Sequence, residues 1–111
     1  MLTPPPNINV TKTEIILVNN YAHEIQAQGI HLHTVILYGS FAKGTQHQWS
    51  DIDVALVADE FEGLPTDIYY FATIAIKKSY IRIEPNTYPT DYFTESDPFI
   101  EEIKKTGIKI I

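Results

Sequence analysis

The chain is constrained most by two short β-rich runs, residues 34–38 and 51–57, with a glycine-led polar stretch between them. The first run is continuously apolar and stops at Gly39, as a buried strand entering a turn does. The second alternates, and a period of two places Asp51 and Asp53 on one face of the strand. Between them, Ser40 to Lys43 reads as the start of a short helix, and residues 44–50 read as a polar turn.

The flanks add helices. Thr11 and Glu14 fit a capping box, and Ile15, Val18, Ala22 and Ile25 recur at spacings of three and four. A helix over residues 13–28 follows, with Gly29 as its stop. Residues 59–65 read as a loop. Ile68, Phe71, Ala72 and Ala75 then predict a helix over residues 65–79, although Tyr69, Tyr70 and Ile76 would fit a strand nearly as well. Residues 80–84 read as a third strand ended by Pro85-Asn86, with Ile81 and Ile83 packed inward and Tyr80, Arg82 and Glu84 on the other face. Asp97-Pro98 opens a last helix, with Glu101 and Glu102 early and Lys104 and Lys105 late, as the helix dipole favours. Gly107 stops it, and residues 108–111 read as a terminal edge strand. Trp49, Tyr69, Tyr70 and Tyr80 read as core residues, and Phe41 and Trp49 flank the stretch between the first two strands.

These elements predict an α/β (α+β) fold: a small mixed sheet holding the three longer strands side by side, with helices mainly on one face. The domain spans residues 11–111, behind a loose N-terminal arm over residues 1–10 that contains Pro4, Pro5 and Pro6. A length of 111 residues allows one core and no second. With 44% hydrophobic and 20% charged residues the chain is globular rather than disordered.

Composition also narrows the chemistry. There is no cysteine, which removes disulfide scaffolds, zinc ribbons and thiol nucleophiles. Eight Lys and Arg against fourteen Asp and Glu give a net charge of −6. A grip on a phosphate backbone needs a basic surface, so nucleic acid is disfavoured as the main partner. A single nucleotide is not, because a divalent metal can supply the positive charge locally. No apolar run approaches the roughly 20 residues that span a bilayer. Residues 1–9 lack the basic cluster and apolar core of a signal peptide, and the expectation is a cytoplasmic protein with no membrane partner.

Two like charges as close as Asp51 and Asp53 repel each other, and a hard divalent cation such as magnesium or manganese relieves that repulsion through oxygen ligands. Gly39-Ser40 lies where a strand meets a helix start. Glycine permits close backbone approach there, and free N–H groups favour phosphate. Taken singly, the aspartates suit a solvated strand end and Gly-Ser suits an ordinary turn. At fixed spacing between two strands they describe one metal-nucleotide site. His31 and His33 lack a further close ligand and read as surface residues, and Ser40, His47 and Asp51 lack the strand-elbow context of a hydrolase triad.

Gly39-Ser40, ten intervening residues and Asp51-x-Asp53 resemble the signature of the DNA polymerase β nucleotidyltransferase superfamily. Gly39, Ser40, Ala42, Gly44, Ser50, Asp51 and Asp53 occupy the positions expected of its minimal nucleotidyltransferase branch. Residues 82–85 and 103–108 resemble the second half of small one-domain members. Lys43 departs from the arginine many members carry, and lysine lacks the bidentate fork.

The resemblance implies a third carboxylate on a later strand, for which Glu84 is the candidate in place of the more usual aspartate. It further implies two Mg2+ or Mn2+ ions held by Asp51, Asp53 and Glu84, and ATP or another NTP bound through Gly39, Ser40, Lys43 and Ser50. The implied reaction is transfer of a nucleoside monophosphate to a hydroxyl. Small members pair with a helical HEPN-domain RNase toxin and transfer AMP to one of its tyrosines, as antitoxins. The other functions open to the chain are a non-catalytic antitoxin that blocks its partner by contact, and a small-molecule nucleotidyltransferase whose acceptor site forms in a homo-oligomer.

Overall fold

In the computed structural model, residues 12–43, 51–71, 80–94 and 97–111 are described. The expected arm over residues 1–10, the Thr11 cap and the polar turn over residues 44–50, Ser50 and Trp49 included, lie outside them, as does the segment over residues 72–79. The order is α1 (Lys12–Ala27), β1 (Leu32–Tyr38), the one-turn α2 (Ser40–Lys43), β2 (Ile52–Ala58), a 3-10 segment (Pro65–Phe71), β3 (Ile83–Tyr88), a 3-10 turn (Tyr92–Thr94), α3 (Pro98–Thr106) and β4 (Ile108–Lys109). The sheet runs β3-β2-β1-β4. β1 is antiparallel to both β2 and β4, whereas β2 and β3 are parallel. A parallel pair needs a long crossover, and residues 59–82 provide it.

β2 is central, and every residue in it except Asp53 is buried. Its alternation feeds two cores. Ile52, Val54, Leu56 and Ala58 join Val35, Leu37 and Ile83 beneath α1, which contributes Val18, Tyr21, Ala22 and Ile25. Burying a valine or isoleucine completely is worth about 1.5–3 kcal/mol, so this face carries most of the cohesion, as the helical stripe of α1 predicted. The opposite face is smaller: Ala55 and Val57 with Ile36, covered by Ile100 and Ile103 of α3 and by Phe93.

The cap of α3 is as expected. The Asp97 side chain accepts hydrogen bonds from the Phe99 and Ile100 amides, and the Gly107 amide donates to the Ile103 carbonyl. Gly107 has an ordinary extended backbone, φ −79°; what requires glycine is space. A Cβ there would strike the Ile36 side chain and come within 2.5 Å of the Ile103 carbonyl oxygen. Gly107→Ala is therefore expected to cost about 1–3 kcal/mol through overpacking. The loss is read as a lower midpoint in a thermal melt.

Two expectations are corrected. The third strand runs from Ile83 to Tyr88 rather than over residues 80–84, so Pro85-Asn86 lies inside it and does not end it. β3 is an edge strand, where a proline costs no ladder bond on its solvent side. Starting later, the strand leaves Ile81 in the preceding turn, 79% exposed, while Tyr80 and Ile83 are in the core.

The described part of the helix expected over residues 65–79 is 3-10, Pro65–Phe71. Its tight winding is tied to Asp67, a buried carboxylate that accepts from the Glu62 and Gly63 amides and from the Thr87 hydroxyl of β3. The terminal edge strand is present: past β4, the Ile110 amide donates to the Val35 carbonyl at 2.7 Å. No described helix is long and apolar enough to cross a membrane.

Candidate active site

Strand register assembles the site. Tyr38 at the end of β1 pairs with Asp53 near the start of β2, and Asp53 pairs with Glu84 near the start of β3. Asp53 and Glu84 thus sit side by side on neighbouring parallel strands, on the α3 face of the sheet. Asp51 lies one residue before β2 rather than within it, and is exposed. It lies close enough to Glu84 to help raise that carboxyl. The structure therefore brings Asp51, Asp53 and Glu84 together from two strand starts.

Gly39 makes the turn from β1 into α2 at φ +75°, a left-handed conformation that favours glycine. Its missing side chain has a second consequence. A Cβ would collide with the Asp53 carboxylate, lying 3.2 Å from its Cγ and 3.3 Å from its Cβ. The Gly-Ser turn and the aspartate strand are thus in contact, so the motif's two halves form one surface. Ser40, half-buried, opens α2 at that turn. Lys43 ends α2; its side chain, that of Phe41, and Ser50 lie outside what is described.

The carboxylates carry the mark of their crowding. Asp53 is pushed above the usual carboxylate range by burial and then by the neighbouring charge of Asp51. Glu84 is raised first by Asp53, then by burial and by Asp51. A raised carboxyl holds its proton more tightly in the native state than in the unfolded chain. Its contribution to stability is therefore full below the ordinary values of 3.8 and 4.5 and is lost as pH rises through the raised ones. Glu60 and Asp97, both shifted down, act in the opposite sense. The expected result, read by thermal melts at low salt, is that as pH rises from the ordinary carboxylate range through the raised ones the ligand-free protein loses more stability than Asp53→Asn does.

Sequence reasoning missed the polar chain beside these acids. Asn86 donates to the Tyr38 hydroxyl at 2.7 Å, and Tyr38 shares a hydrogen bond with Tyr88. Burial, with Tyr88, Asp53 and Glu84 nearby, raises the Tyr38 hydroxyl far above its ordinary value. The exposed Phe99 ring stands edge-on to Tyr38 at 6.0 Å. The available signal was period two: Asn86 is two residues past Glu84 and shares its face.

The donor chemistry fits a hard divalent ion. Three carboxylates supply only oxygen, and their mutual repulsion is what a cation would relieve. Among the described residues no three His, Cys, Asp or Glu side chains form a ready-made cage.

The family described as "Polymerase beta, Nucleotidyltransferase" matches residues 12–111. Among solved structures, a candidate nucleotidyltransferase from Sulfolobus solfataricus at 1.40 Å resolution is 16% identical, with a TM-score of 0.63 over 98% of this chain and 89% of that one. A toxin–antitoxin structure with AMP-PNP is 20% identical, with a TM-score of 0.57 over 84% of this chain and 72% of that one. A mutant of the toxin–antitoxin MntA-HpeT carrying two aspartate-to-glutamate changes is 19% identical, with a TM-score of 0.56 and the same coverages. No curated protein matches the chain.

Proposed function

Since the chain belongs to the polymerase β nucleotidyltransferase family, we propose that it transfers AMP from ATP to a hydroxyl, and that the acceptor is a tyrosine of a HEPN-domain toxin. The observation that carries the catalytic reading is the register that sets Asp53 beside Glu84 and against Gly39. Its support for the antitoxin reading is the likeness to two toxin–antitoxin structures, one of them with AMP-PNP.

The residues divide the work. The backbone at Gly39 and the Ser40 hydroxyl hold the β- and γ-phosphates, and Lys43 and Ser50 complete the phosphate contacts. Asp51, Asp53 and Glu84 hold Mg2+ or Mn2+, two ions in the full site. When bound, these ions neutralise the triphosphate and lower the pKa of the attacking hydroxyl. Glu84 orients that hydroxyl and accepts its proton. The acceptor oxygen attacks the α-phosphorus, the α–β phosphoanhydride bond breaks, and pyrophosphate leaves with its electron pair. Catalysis is then mostly positioning and charge stabilisation.

The test is incubation with α-labelled ATP and magnesium, with and without a HEPN-domain protein as acceptor. Label on a tyrosine of that protein is the expected result. Label on a small molecule in the absence of the protein would favour the homo-oligomeric enzyme. Tight complex formation without label would favour a non-catalytic antitoxin.

A further inference from the structure

A second concavity lies on the α3 face of the sheet, at the far end from the carboxylates. It encloses about 400 Å3, within the size range of small-molecule sites. Ile36, Val57 and Phe93 give it an apolar floor, and Lys104 and Lys109 reach its margin. Val57 is four residues along β2 from Asp53, about 13 Å at 3.3 Å per residue. It is thus separate from the proposed nucleotide site, and α3 lies across the sheet between them.

Two observations say what would fill it. No residue lining it is acidic, although the chain carries a net charge of −6. Lys104 stands over the Phe93 ring at 5.2 Å, and among the described residues no carboxylate pairs with Lys104 or Lys109. We propose that this cavity binds a small organic monoanion, an apolar body bearing one carboxylate, with the anion between the two lysines.

Naphthalene-1-acetate is a suitable probe, with naphthalene-1-methanol as its uncharged counterpart. Binding is followed by amide chemical shifts in two-dimensional NMR of the whole chain. Phe93, Thr94 and Lys104 are expected to shift in a saturable way with the acid. Losing charge-assisted hydrogen bonds should weaken binding about tenfold or more, both for the alcohol and for the acid on a Lys104→Gln/Lys109→Gln variant. Thr94→Trp, a substitution of an exposed lining residue, should fill the mouth and abolish the shifts in a folded protein. Acid that shifts none of these residues, or that binds the double lysine variant or Thr94→Trp as it binds wild type, would overturn the proposal.

Discussion

Replacing Asp53 by asparagine is expected to abolish nucleotidyl transfer while leaving the ligand-free protein at least as stable as wild type. The two halves of this result have one cause. Asp53 is the only residue of β2 that is not buried, and it is held beside Asp51 and Glu84 with its carboxyl raised by burial and by Asp51. Its ionised form is therefore a burden on the native state at neutral pH, one the isosteric amide removes. A bound metal-nucleotide reverses the balance, since a ligand specific to the folded state adds stability by mass action, about 2.7 kcal/mol at a hundredfold excess over Kd. The amide loses that gain and supplies no anionic ligand. Transfer should fall by about a thousandfold or more, the upper range for removing one charge-stabilising group. Melts of both proteins with and without magnesium and ATP, alongside a transfer assay, check both halves. A variant that is less stable without ligand, or that transfers at the wild-type rate, contradicts the account.

Gly39→Val should be the second severe change, for reasons that separate from general instability. Valine at φ +75° adopts a left-handed backbone at a cost of about 1–2 kcal/mol. Its Cβ also occupies the space of the Asp53 carboxylate. Gly29 provides the control: it has φ +95°, yet a Cβ there meets nothing within 4 Å. Gly29→Val is thus expected to lower the melting temperature comparably and to keep transfer, whereas Gly39→Val loses transfer and calorimetric binding of magnesium-ATP. Equal activity in the two folded variants would show that the Gly39 contact with Asp53 is incidental.

How much of this was legible in the sequence depends on the range of the interaction. Asp51-x-Asp53 and Gly39-Ser40 are local patterns, and β1, β2 and the α1 stripe follow from local periodicity. β3 was misplaced because Pro85 breaks a central strand but not an edge, and edge status is decided by the whole sheet. The 3-10 winding at Pro65–Phe71 accompanies a buried Asp67 bonded to Thr87, twenty residues away. No local propensity carries that bond. Glu84 was named through the resemblance and through a strand drawn at residues 80–84; its place beside Asp53 comes from the parallel register. Tyr38 and Asn86 went unnoticed because a cross-strand contact joins them, with no motif of their own.

The central claim is that the carboxylates at the starts of β2 and β3 serve attack on the α-phosphorus of a nucleotide. It is tested most directly by following ATP labelled at the α- or the γ-phosphate in the presence of magnesium and acceptor. The account predicts that α-label enters the acceptor, that pyrophosphate appears one for one with it, and that γ-label leaves only in pyrophosphate. Transfer of γ-label to the acceptor, or its release as inorganic phosphate in step with turnover, would contradict it.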